Sequence, residues 1–344
     1  MSNSNALSTY SRRSFIKTTA AGGAIALPSS FAFINGAEIA FAEPMPPLND
    51  GDVAVLQFLA VAELVESDLW EQYSELATNN PGYRNALQRI DESLPDYISG
   101  VLEDERSHAT FIDAFLVAAG KTPINLDSFR TLPSVPVEGA KNIGRLTNLK
   151  NLTIDTSYYQ RYRQAGNPDF GDAFGQIANI VNQPTVPTSE SIGGDELRSI
   201  AQSAVFHFAA VEQGGSSLYN SFMTKVTNLD VVAILASIGP MEVYHFAVFQ
   251  TALERIRKLE GHEDPSFPDI RENPNRGDIM PEPCTFLDKN LPVCSVIRPR
   301  NTNTAGAVAA ATGLVNSGLF LGQSQAFFDA VVPLAKAADA ALRS

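Results

Sequence analysis

Apolar residues recur along this chain mostly at steps of three and four. From Gly51 to Ala77 it reads GDVAVLQFLAVAELVESDLWEQYSELA, and Leu56, Leu59, Ala60, Glu63, Leu64 and Ser67 share one stripe. No proline or glycine follows Gly51 within the run, so a long helix is predicted there. NNPGY ends it. A second helical region starts near Asn85, is interrupted near Pro95, continues through DYISGVLEDERSHATFIDAFLVAAG and stops at Gly120–Pro123. Two more long helices are expected over 195–226 and from Asp230, read as an N-cap, to Gly261. Shorter ones are expected near 303–317 and 323–342. No strand-rich region stands out.

The pattern gives an all-α protein whose core is four long helices in two hairpins. They are separated by residues 121–194, rich in Pro, Asn, Thr and Gly, with a shorter helical candidate at 169–181. A connection this long inside one domain is a crossover, and it distinguishes this bundle from the short-looped kind. The bundle with its crossover spans 43–261. Residues 262–344 form a Pro- and Cys-containing segment and C-terminal helices expected to pack on the bundle.

The chain has only four histidines, and two stand three residues after a glutamate, in DERSH (104–108) and EVYH (242–245). On a helix, positions i and i+3 lie about 60° apart around the axis and about 4.5 Å apart along it. Glu105 and His108 therefore point one way, as do Glu242 and His245. The other two long helices should each add an inward carboxylate. Setting AELVESDLW (62–70) beneath VEQGGSSLY (211–219) pairs Glu63 with Glu212, Ser67 with Ser216, Leu69 with Leu218 and Trp70 with Tyr219. The core reads as a helical hairpin given twice. Glu63, Glu105, His108, Glu212, Glu242 and His245 form the expected ligand set, with Glu66 and Tyr219 as outer or alternative members. Four carboxylates and two imidazoles suit two divalent metals, iron or manganese, better than zinc. His207 projects about 140° away from Glu212, too far round the helix to join them.

Between Glu63 and about Leu259 the chain resembles the ferritin-like domain family that includes desiccation-related and stress-associated proteins. ELVESDLW, DERSH, EQGGSSLY and EVYH carry that resemblance. It implies a ferritin-like four-helix bundle with a dinuclear carboxylate site. Trp70 departs from it where a tyrosine is expected, and Pro240 lies two residues before Glu242, where it should kink the helix or mark a bulge.

Charge and termini refine the picture. A net charge of −13 argues against nucleic acid as a partner. SRRSFIK (11–17), a weakly apolar run and Ala40-Phe41-Ala42 resemble a twin-arginine signal peptide over residues 1–42. That resemblance implies the twin-arginine export machinery as a partner and a periplasmic or extracellular location. In an oxidising compartment Cys284 and Cys294 would form a local disulfide. The tyrosines of SYYQRYRQ (157–164) are expected to pack rather than form a lid.

The functional expectation is a stress-protective redox protein acting on a small oxidant such as oxygen or peroxide, with oxidase, peroxidase or catalase chemistry. The alternative is a non-catalytic helical bundle with a structural or vestigial metal site. Homo-oligomers are compatible with either, but a storage cage sits poorly with inserts at 121–194 and 262–302. No phosphate loop, dinucleotide fingerprint or Ser-His-Asp arrangement appears.

Overall fold

The structure is a computed structural model and describes residues 47–158, 175–256, 283, 285, 288–294 and 306–343. The signal-peptide reading, the Cys284 half of the expected disulfide and most of the tyrosine stretch lie outside these residues. Within them the helices are α1 (Asp50–Asn79), α2 (Pro81–Ile90), α3 (Leu94–Ala118), α4 (Gly194–Phe222), α5 (Leu229–Leu253), α6 (Ala307–Asn316) and α7 (Gln325–Ala340). One two-residue antiparallel ladder pairs Leu132–Pro133 with Gly144–Arg145. The fold is all-α.

Helix boundaries follow from capping chemistry. The Asn49 side chain accepts from Asp52 N at 2.7 Å to start α1. Asn80 ends α1 and also caps α2, accepting from Tyr83 N at 2.9 Å, with Pro81 in the first turn. NNPGY therefore separates two helices and opens the second. The cap of α5 is Asn228, which accepts from Asp230 N and Val231 N; Asp230, expected to be the cap, sits in the first turn. The described part of the 169–181 candidate, residues 175–181, is not helical. α5 ends at Leu253, short of Gly261.

Pro240 does not break α5, which runs unbroken through it. Pro240 and Ala236, whose carbonyl it leaves without a helical donor, are both exposed. Solvent can therefore satisfy that carbonyl.

α1 pairs with α3 and α4 with α5, while α7 packs on α1 and α6 on α7. Between the hairpins, Trp70 of α1 stacks on Phe249 of α5 at 5.1 Å and packs against Phe208 of α4, and Phe58 meets Phe222 edge-on. In the same core, Tyr158 packs edge-on to Phe246, the packing role expected for that stretch.

The crossover is fastened to α1 by buried polar groups. Asp68 accepts from Leu146 N (3.0 Å), Thr147 N (2.9 Å) and Thr147 Oγ1 (2.7 Å), and pairs with Arg130 at 2.6 Å. Arg145, fully buried, pairs with Glu75. The C-terminal helices are tied to the same region: Asn148 N donates to Leu319 O at 2.7 Å and Thr153 N to Ser317 O at 2.8 Å. Asp339 of α7 accepts from Ala307 N and Val308 N, capping α6 from outside its own sequence.

Candidate metal centre

Each bundle helix turns one or two ionisable side chains into the interior. α1 brings Glu63, α3 brings Glu105 and His108, α4 brings Glu212, and α5 brings Glu242 and His245; all six are buried. Small residues let the helices close around them. A Cβ on Gly239 would lie 2.9 Å from the Tyr219 Cβ, so α4 and α5 approach closely there. A Cβ on Gly215 would lie 2.3 Å from Glu242 Oε2, so the glycine leaves room for that carboxylate.

The six side chains fall into two overlapping groups. Glu63, Glu105, His108 and Glu242 can each place one ligand atom within 4.8 Å of the others, and so can Glu105, Glu212, Glu242 and His245. Glu105 and Glu242 belong to both. His108 Nδ1 lies 3.1 Å from Glu105 Oε2, 3.3 Å from Glu63 Oε2 and 3.6 Å from Glu242 Oε1. His245 Nδ1 lies 3.1 Å from Glu105 Oε1 and 3.3 Å from Glu212 Oε2.

Charge balance suits this cluster to holding cations. Glu212 Oε1 and both carboxylate oxygens of Glu242 are buried without a hydrogen-bond partner, an arrangement that is costly unless positive charge offsets it. Protons can supply some of that charge. Burial, reinforced by the charge of Glu63, pushes Glu105 up to about 8. Burial likewise lifts Glu242 well above the carboxylate range, and neighbouring carboxylates add to the rise. For the imidazoles burial acts in the opposite sense and loses. Bonds to Glu105 and Glu63 push His108 up to about 10, and Glu212, Asp104 and Glu105 push His245 up to about 12. Glu63 alone is lowered: burial would raise it, but the bond and charge of His108 prevail. Divalent cations would replace these protons, and the donor set of carboxylates and imidazoles fits a hard-to-intermediate metal.

The profile of the ferritin-like domain family matches residues 51–255. The chain belongs to that family. No curated protein and no solved structure matches it.

Within this ferritin-like protein the two halves of the cluster are not equivalent. Tyr219 O–H donates to Glu63. Its counterpart in the repeat, Trp70, is buried among Tyr73, Phe208 and Phe249 instead, so the phenol is present on one side only. Asp104 accepts from His245 Nε2 at 3.1 Å, the carboxylate-to-imidazole contact that orients a metal-ligating ring and fixes its tautomer. The matching position before Glu242 is Met241, which carries no carboxylate for His108. Asp104 was not singled out from the sequence, although it is the first residue of DERSH. Glu66 belongs to neither group and is half-buried. His207 is buried away from the cluster and bonded to Tyr73.

Proposed function

We propose that this ferritin-like protein is exported and binds two divalent cations, iron or manganese, in its buried cluster, acting on oxygen or peroxide in stress protection. The observation that supports this best is the pair of four-residue groups sharing Glu105 and Glu242. That arrangement offers each cation one imidazole, one carboxylate of its own and two carboxylates held in common. Two adjacent ions of this type supply redox equivalents and charge stabilisation to an O–O bond. The protein's part is to hold and orient them: Asp104 fixes the His245 ring, and Tyr219 fixes Glu63 and keeps a proton at its phenol oxygen. The burial of all six side chains keeps bulk water from competing for them. Export is supported by Arg12-Arg13 and Ala40-Phe41-Ala42.

The test is the metal content of exported, untagged protein by mass spectrometry, followed by oxygen and peroxide consumption. His108→Ala/His245→Ala should fall well below two metals per chain with helical content unchanged. If that variant keeps two, the site does not exist as described. Full metal content without consumption of either oxidant would place the protein in the non-catalytic reading.

A further inference from the structure

Behind the cluster, between α1, α4 and the α6–α7 pair, lies a cavity of about 140 Å³. Phe58, Val61, Val65, Val211, Leu218 and Leu314 make its walls apolar. The cavity opens toward solvent at its rim, where Gly313 and Asp155 are exposed, and small residues keep its interior clear. Ala210 and Gly214 face it from α4, and Ala310, Ala311 and Gly313 from α6; a Cβ on Gly313 would meet nothing within 4 Å. In the repeat, Gly214 stands where α1 has Val65, so α4 withholds a side chain at this level. Apolar space of roughly 150 Å³ is enough for a benzene-sized molecule.

His207, 3% exposed, also lines the cavity, and its hydrogen-bonding state is fixed from a distance. Thr185 Oγ1 donates its one proton to Leu149 O at 3.2 Å, so it accepts from Tyr73 O–H at 2.6 Å. The Tyr73 proton is thereby used. Its oxygen, 2.7 Å from His207 Nδ1, must accept from Nδ1–H. A neutral ring carrying that proton has Nε2 as an acceptor. Burial holds the ring neutral by pushing it down to about 3. Nε2 is the nitrogen that Tyr73 does not use. Glu66, also lining the cavity, feels the charges of Glu105, Glu212 and Glu63, so the cavity reaches the wall of the cluster.

The geometry points to a binding site here for a ring-sized, uncharged molecule with one hydrogen-bond donor, a simple phenol in chemical class, its hydroxyl donating to His207 Nε2. Apolar walls select against ions, and the nearby carboxylates of Glu66 and Asp155 select against anions in particular. The size of the cavity selects for a single ring. The site goes beyond the metal proposal and does not need it, because none of its lining residues belongs to the six-residue cluster.

Calorimetry with phenol, anisole and benzene, on metal-free and metal-loaded protein, separates the two ideas. Phenol should bind both forms, and anisole, whose methyl group caps the donor, at least tenfold more weakly. Equal affinity for phenol and anisole, or no binding of phenol to the wild type, overturns the site whatever the metal content. Ala210→Phe and Gly313→Leu should each fill the cavity and reduce phenol binding at least tenfold with unchanged circular dichroism. Gly313→Leu adds a good helix former at an exposed position, so it keeps the test available if the Ala210 variant fails to fold. Undiminished phenol binding by a folded filling variant places the ligand elsewhere and refutes the proposal.

Discussion

Gly215→Ala separates the stability of the bundle from its capacity to hold metal. The new Cβ would lie 2.3 Å from Glu242 Oε2, 3.2 Å from its Cδ and 3.5 Å from its Cγ. Only the tip of a flexible side chain is in the way, so Glu242 can yield by rotating outward at about 0.5–1.5 kcal/mol for an off-rotamer torsion. Against this, alanine replaces glycine inside a helix, a gain of about 0.8–1.0 kcal/mol. The two nearly cancel, and metal-free variant and wild type should agree within about 1 kcal/mol in urea unfolding. Metal is a different matter, because Glu242 belongs to both ligand groups. With free metal at a hundredfold over the dissociation constant, the wild type gains about 2.7 kcal/mol per site by linkage, and a variant that has lost its sites gains none of it. Urea titrations with and without manganese or iron(II), alongside mass-spectrometric metal counts, give both numbers. A variant that keeps its full metal content would refute the role given to Glu242. A metal-free variant weakened by more than about 2 kcal/mol would refute the claim that the side-chain tip can move aside.

Further outcomes follow from the same cluster and from the crossover. In the metal-free protein His108 stands at about 10 against 6.5 unfolded, so its contribution is complete below 6.5 and lost as pH rises to 10. Glu105, at about 8 against 4.5, keeps its proton in the folded state and loses that stability between 4.5 and 8. Metal-free urea midpoints should therefore fall as pH rises through neutrality, and metal binding at neutral pH should release more than one proton, read by calorimetry in buffers of differing ionisation enthalpy. Asp104→Ala should weaken metal binding by about 10–100-fold, because it removes the contact orienting His245. Asp68→Ala strands the amides of Leu146 and Thr147 together with Arg130, and should cost about 3 kcal/mol or more in chemical denaturation.

The helices and the grouping of the six ionisable side chains were legible because both follow from local spacing. Glu and His three apart on a helix must share a face, and the internal repeat singled out Glu63 over Glu66 without any three-dimensional information. What escaped depends on partners far apart in sequence. Asp68 looks like any polar residue of α1 until the crossover folds back onto it. Asp104 reads as one more charge in EDE until α5 brings His245 within 3.1 Å. The chain Thr185–Tyr73–His207 joins the crossover to two helices and leaves no periodic trace. Pro240 stands inside a helix that continues through it, and the carbonyl it leaves without a donor lies at an exposed position.

The sharing of Glu105 and Glu242 also bears on the unfolded chain. Each cation would draw ligands from both hairpins, so neither hairpin alone supplies a complete four-residue group. A bond running from Glu105 through a cation to His245 closes a loop of about 140 residues, and a permanent cross-link of that length removes chain entropy worth about 5 kcal/mol from the unfolded ensemble. A cation is a reversible version of that cross-link. Its dissociation would return the two hairpins to association through apolar packing and the hydrogen bonds Tyr219–Glu63, Asp104–His245 and Tyr73–His207, with a crossover of about 75 residues as their covalent tether.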